Sequence, residues 1–243
     1  MAVLTSATIA TIAAAVFAAP AGADGVSGTS VFLDPGHNGL NDESISRQVP
    51  NGRGGMKDCQ TVGTSTGDGY SEHAFNWDIA ARVRNSLESM GVHVQMSRPD
   101  DASVASCVDQ RAAAANAMHP DAIVSIHADE APPSGRGFHI NYSAPPVNAV
   151  QSGPALRLAG IMRDALVAAG MQPATYIGSD GLYGRADLAG LNLAEYPAVL
   201  VEVGNMRNVD EAAQMESADG RQKYAAAITR GIVSYLTQRS SGG

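Results

Sequence analysis

The chain has little positive charge, few aromatic residues and almost no cysteine. Its 16 Lys and Arg stand against 24 Asp and Glu, a formal net charge of −8 over 243 residues. Nucleic-acid affinity comes mainly from basic side chains that displace counter-ions, so an acidic chain is not built around DNA or RNA. After the first 23 residues no apolar run approaches the ~20 residues that span a bilayer. There is no low-complexity tract, no internal repeat and no appended second module. These absences leave one sizeable domain with a core of its own. Only two cysteines are present, Cys59 and Cys107.

Residues 1–23 are small and apolar and end in Ala21-Gly22-Ala23, an A-x-A pattern suited to signal-peptide cleavage before Asp24. No Lys or Arg precedes Arg47, so the usual positive start of such a leader is missing. No cysteine lies near the cleavage point, which argues against a lipid anchor. An exported chain at the periplasm or cell wall is expected, with residues 24–240 as the folded domain. Export makes a Cys59–Cys107 disulfide chemically allowed.

Short apolar runs alternate with helix-like stretches. "TSVFLDPGH" reads as a strand closed by a Pro35-Gly36 turn. In "EHAFNWDIAARVRNSLESMG", Phe75, Ile79, Val83, Leu87 and Met90 recur at helical spacing. "VHVQMSR", "DAIVSIHAD", "FHINYS" and "PAVLVEVGN" read as strands, and "CVDQRAAAANAM", "PALRLAGIMRDALVAAG" and "DGRQKYAAAITRGIVSYLTQ" as helices. Alternating strands and helices predict an α/β fold: a single three-layer domain whose mostly parallel central sheet is flanked by helices. Residues 38–71 and 135–152 read as looser segments, and "GLYGRADLAGLN" as a loop before the last strand.

Three buried strands end in a polar, metal-capable side chain: His37, His127 and Glu202. Sites in open parallel sheets form at the carboxyl edge of the strands, so these three are expected together there. A lone histidine is more often a hydrogen-bonded structural residue than a ligand. Glu72 opens the long helix, where the macrodipole favours an acid without any metal. Glu202 poses the sharper question, because a carboxylate inside "VLVEV" is costly unless it is paired, metal-associated or protonated.

The sequence resembles the zinc-dependent N-acetylmuramoyl-L-alanine amidases of the amidase-3 family, in a single-domain actinobacterial form. "DPGHNG", Glu72 at a helix start, "RPDD", "RAAAAN", "DAIVSIHAD", "YPAVLVEVGNMRN" and "KYAAAITRGIVSYL" carry the resemblance, in order, over residues 31–236. It implies one zinc ion on His37, Glu72 and His127, with Glu202 as the catalytic glutamate. It also implies a peptidoglycan or muropeptide substrate, cut between the lactyl group of muramic acid and the first L-alanine of the stem peptide. Two His and one Glu leave the fourth tetrahedral position open for water, the pattern of a catalytic zinc site. Zinc makes that water acidic near neutrality, and Glu202 would take its proton and pass it to the leaving nitrogen.

Asp34 and Asp129 flank the ligands and are candidates to hold the imidazoles from behind, although turn or capping roles explain them equally. Arg185 is placed to meet a stem-peptide carboxylate. Gly204-Asn205 stands where the family commonly reads Gly-Phe, which puts the amide of Asn205 beside the substrate. Residues 38–71 exceed the segment of compact members and are expected to form a lid-like insertion pinned by Cys59–Cys107. Tyr70, Tyr142 and Tyr183 are groove-lining candidates, and His73, His93, His119 and His139 carry no assigned role. The chain is expected to act as a monomer with no membrane span after cleavage. Two alternatives stand beside the amidase: a zinc peptidase or deacetylase on the same polymer, and a non-catalytic wall-binding protein of the same fold.

Overall fold

A computed structural model describes residues 25–240; the expected signal peptide, residues 1–23, lies outside the described residues. The chain runs through β1 (Ser30–Pro35), a 3-10 turn, β2 (Gln48–Pro50), β3 (Met56–Asp58), α1 (Glu72–Glu88), β4 (His93–Met96) and α2 (Val108–Met118). It continues through β5 (Ala122–Asp129), β6 (His139–Ser143), a π-turn at Gln151–Ala155, α3 (Leu156–Ala168) and β7 (Leu182–Arg185). It ends with α4 (Ala189–Asn192), β8 (Ala198–Asn205), α5 (Val209–Glu216) and α6 (Ala218–Ser240).

Six strands form one sheet in the order β4-β1-β5-β8-β6-β7. β4, β1, β5 and β8 are parallel, while β6 pairs antiparallel with β8 and carries β7 parallel beside it. The architecture is therefore the mostly parallel α/β sandwich that the alternation of runs predicts. One strand pair reverses direction, because β6 returns beside β8 instead of crossing over through a helix.

Side chains alternate across a sheet, and here the alternation separates two environments. Val31, Leu33, Val124, Ile126, Ile140, Val199, Val201 and Val203 belong to the main buried cluster, shared with Phe75 and Ile79 of α1, Leu158 and Met162 of α3, and Ile228 and Ile232 of α6. The opposite face packs Phe32, Ile123 and Leu200 against Ala115 of α2 and Leu191 of α4. Along that second face the register aligns Asp34 with Ser125, His127 with Glu202, and His139 with Glu202 from the other side.

Two segments are more ordered than their composition predicts. Within 38–71, β2 and β3 form an antiparallel hairpin. Its base is closed by the Cys59–Cys107 disulfide, which joins the insertion to the residue preceding α2 with a Cα–Cα distance of 4.5 Å. The segment "GLYGRADLAGLN", expected as a loop, forms β7 and the short helix α4. β7 lacks a long apolar run because it lies at the sheet edge, and all four of its residues are only half-buried.

Candidate active site

His37 follows β1 in a tight turn and takes a left-handed backbone conformation, φ 64°. An L-residue adopts this only when its surroundings impose it. Two buried arginines do so. Arg111 of α2 donates from Nη2 to the His37 carbonyl at 2.7 Å and to Asn38 Oδ1 at 2.8 Å. Its Nη1 donates to the Pro35 carbonyl at 2.9 Å and to Asp34 Oδ1 at 2.9 Å. Arg98, 1% exposed, donates from Nε to the Pro35 carbonyl at 3.2 Å and from Nη2 to the His73 carbonyl at 2.7 Å. The turn thus has its carbonyls held from both sides. Gly36 is required within it, since a Cβ there would lie 2.2 Å from the His127 ring.

Glu72 is the first residue of α1 and reaches over the carboxyl edge of the sheet to both imidazoles. Its Oε2 lies 2.9 Å from His37 Nε2 and its Oε1 lies 2.9 Å from His127 Nδ1. Backbone N–H groups of Thr64 and Ala128 and the Asn76 amide also donate to it, at 3.0, 3.2 and 3.2 Å. Burial alone would raise this carboxyl, but the hydrogen bonds and charges of His127 and His37 hold it well below the ordinary carboxylate range. The donor atoms of His37, Glu72 and His127 lie within 4.8 Å of one another. His37 Nδ1 faces the Thr61 carbonyl at 2.8 Å, which leaves Nε2 for the site. Gly63, φ +79°, lies against the other side: a Cβ there would meet Glu72 Oε2 and the His37 ring at 2.8 Å.

Glu202 of β8 stands beside His127 in register. Its Oε2 is buried without a hydrogen-bond partner. Burial, then the negative charges of Glu72 and Asp129, push its carboxyl well above the ordinary range, against the pull of Arg185. These groups line an open cleft that also takes in Thr61–Thr64, Glu130, Arg185 and Leu188.

The chain matches the family described as N-acetylmuramoyl-L-alanine amidase over residues 31–234. The chain belongs to this amidase family. An N-acetylmuramoyl-L-alanine amidase of Mycobacterium tuberculosis is 60% identical over 211 residues, covering 87% of this chain and 88% of that protein. The crystal structure of the N-acetylmuramyl-L-alanine amidase Ami1 from Mycobacterium smegmatis superposes with a TM-score of 0.87 at 60% identity, covering 88% of this chain and 99% of that one. The Ami1 structure from Mycobacterium abscessus gives 0.86 at 58% identity, covering 87% and 100%.

Around the three-residue cluster, the amidase departs from several expectations. Asp34 bonds neither imidazole: it accepts from Ser97 Oγ at 2.6 Å, Ser125 Oγ at 2.9 Å and Arg111. Burial would raise its carboxyl, but the Arg111 guanidinium and the Ser97 bond hold it below the usual range. It therefore braces the turn through Arg111. Asp129 also bonds neither His37 nor His127; it accepts from the Tyr176 hydroxyl at 3.0 Å. Asn205 is fully buried and does not line the cleft. Its amide donates to the Pro132 and Gly135 carbonyls at 3.0 and 2.8 Å and accepts from Ala131 N at 3.0 Å, pinning the loop after β5. Arg185 does line the cleft, oriented by a two-pronged pair with Asp187 at 2.7 and 2.5 Å. Tyr70 packs edge-on against Phe75 and lies under Arg221. Tyr183 stacks with Arg185 and meets His139. Sequence reasoning missed the clamping role of Arg98 and Arg111, whose only signal was their place in "RPDD" and "RAAAAN".

Proposed function

We propose that this amidase hydrolyses peptidoglycan at the amide between the lactyl group of N-acetylmuramic acid and the L-alanine of the stem peptide. The observation that carries the reading is the convergence of His37, Glu72 and His127 beside the unpartnered carboxyl of Glu202. His37, Glu72 and His127 would hold one zinc ion, which when bound supplies Lewis-acid polarisation of the scissile carbonyl and the attacking water. The residues fit that ion: two imidazoles and a carboxylate are ordinary zinc donors, and they leave a position free. The raised Glu202 carboxyl fits as well, since acids crowded around one cleft are relieved by a nearby cation.

Glu202 acts as general base on the attacking water, then returns the proton to the leaving L-alanine nitrogen. Its burial suits this, because a carboxyl pushed up from the ordinary range is a stronger base toward the water's proton. Arg185, held by Asp187, receives a carboxylate of the stem peptide. On the same reading residues 1–23 direct export and are removed, and the chain works as a monomer at the periplasm or cell wall. Residues 38–71 form a lid over one side of the cleft. The disulfide supports an oxidising compartment, and Thr61–Thr64 in the cleft wall support the lid. Among the described residues no helix is long and apolar enough to cross a membrane.

Muramyl dipeptide separates this reaction from its neighbours. An amidase frees an L-alanine amino terminus and intact N-acetylmuramic acid; a deacetylase frees acetate; a peptidase leaves alanine on the sugar. The purified protein is expected to carry one zinc per chain, lost in His37→Ala and in His127→Ala. Release of acetate, or zinc occupancy unchanged in both variants, overturns the assignment.

A further inference from the structure

His139, without a role on sequence grounds, lies beside the reacting groups. It opens β6 and pairs directly with Glu202 in the antiparallel ladder. Directly opposed residues share a face of the sheet, with Cβ atoms about 4.5–5.5 Å apart. The residue is 1% exposed. Tyr176 and Tyr183 meet its ring edge-on at centroid distances of 6.1 and 5.9 Å. Its Nε2 lies 3.9 Å from Asp129 Oδ2, beyond hydrogen-bond range. Its Nδ1 is buried without a partner, and so is Oε2 of Glu202. Orphaned buried polar atoms are rare; here two occur on residues that oppose each other across one strand pair.

We propose that His139 is a positioning residue for Glu202: its Nδ1–H donates to Glu202 Oε2, directly or through one water, and leaves the other carboxyl oxygen to act in the cleft. The proposal rests on Glu202 being the general base. Burial pushes the His139 imidazole down to about 4, against the attraction of Asp129 and with help from Arg185, so the ring is neutral at working pH. A neutral imidazole donates one hydrogen bond without adding a charge. It therefore anchors the carboxylate and lowers its basicity less than an arginine would. When the working oxygen takes a proton, Oε2 still accepts, so the same bond survives both halves of the proton cycle. The groups facing the ring are Asp129 on β5, Glu202 on β8, Arg185 and Tyr183 on β7, and Tyr176; none of them bonds Nδ1.

The test compares His139→Asn, His139→Gln and His139→Phe with Glu202→Gln on muramyl dipeptide at equal metal content. The Asn amide N–H stands near the Nδ1 position, that of Gln near Nε2, and Phe keeps only the ring. His139→Phe and His139→Gln are expected to lower kcat about tenfold with KM within twofold, since a slightly misplaced catalytic group loses rate more than affinity. His139→Asn is expected to recover most of that loss. If all three stay within twofold of wild type, or Asn is no better than Phe and Gln, the positioning role is wrong. Glu202→Gln tells the two layers apart: near-normal turnover there removes the general base itself, whereas loss there without loss in His139→Phe removes only the role of His139. Nitrogen-15 NMR of histidine-labelled wild-type protein decides independently of whether the variants fold. A protonated Nδ1 is expected, and a bare Nδ1 with a protonated Nε2 overturns the proposal.

Discussion

The two faces of the central sheet use the same strands for opposite purposes. On β5 and β8, Ile126 and Val201 point into the apolar cluster beneath α1, α3 and α6, while their neighbours His127 and Glu202 point into the cleft. One face is held mainly by hydrophobic burial. The other holds His127, Glu202, His139 and Asn141 side by side, with Glu202 Oε2, His139 Nδ1 and both amide atoms of Asn141 buried without a partner. The apolar face thus supplies the rigidity that lets unsatisfied groups persist on the other. The two functions are separable at adjacent residues.

Breaking the site face at its centre gives the largest effect. Glu202→Gln is expected to lower turnover by roughly 10²–10⁴, the share of general acid–base catalysis, with the melting temperature and zinc content held. A large fall in stability instead would mean that Glu202 belongs to the framework. Next comes the crosslink. Cys59 and Cys107 are 48 residues apart in sequence, and in the loop-entropy model such a bridge contributes roughly 4 kcal/mol. The Cys59→Ser/Cys107→Ser pair is expected to lose up to that amount in denaturant unfolding. The hairpin segment should become protease-sensitive before the sheet, because little of the main core depends on it. Simultaneous cleavage of both would show that the insertion is part of the core.

Breaking the apolar face gives the mirror image. Ile126→Ala is expected to cost about 3 kcal/mol through lost burial and a residual cavity, while kcat stays within twofold. A variant as stable as wild type would remove Ile126 from the framework, and one inactive at full stability would show that the faces are coupled. The smallest effect sharpens the comparison from the site side. The His139 imidazole is held down to about 4 when folded, whereas an unfolded histidine titrates near 6.5. Between those values the unfolded chain binds more protons, so this residue makes stability fall as pH drops from about 6.5 toward 4. The loss stays below about 3 kcal/mol, and His139→Asn is expected to flatten it in thermal melts at pH 4.5 and 7. An unchanged pH slope assigns the acid sensitivity elsewhere.

The sequence by itself determined the elements and the candidates. Apolar runs such as "DAIVSIHAD" and "PAVLVEVGN" show as buried strands because both faces of a parallel strand are covered. The positions after them show as a site because strand ends of a parallel sheet converge on one edge. By its local pattern Glu72 was legible only as a helix-start acid, and the family resemblance alone made it a ligand candidate, since nothing local says that α1 brings it 2.9 Å from both His37 and His127. Tertiary structure alone decided the rest. The left-handed His37 depends on Arg98 and Arg111, which reach it from distant elements. The edge position of β7 removed the apolar pattern by which a strand is recognised. Asn205 turned away from the cleft and Asp34 from the imidazoles because their partners come from loops and strands far away in the chain. Pairing of β6 with β8 brought His139 to Glu202 across 63 residues of sequence. Periodicity reports what one element buries, but the partners of a buried polar group come from whichever elements the fold brings beside it, and local sequence carries no record of them.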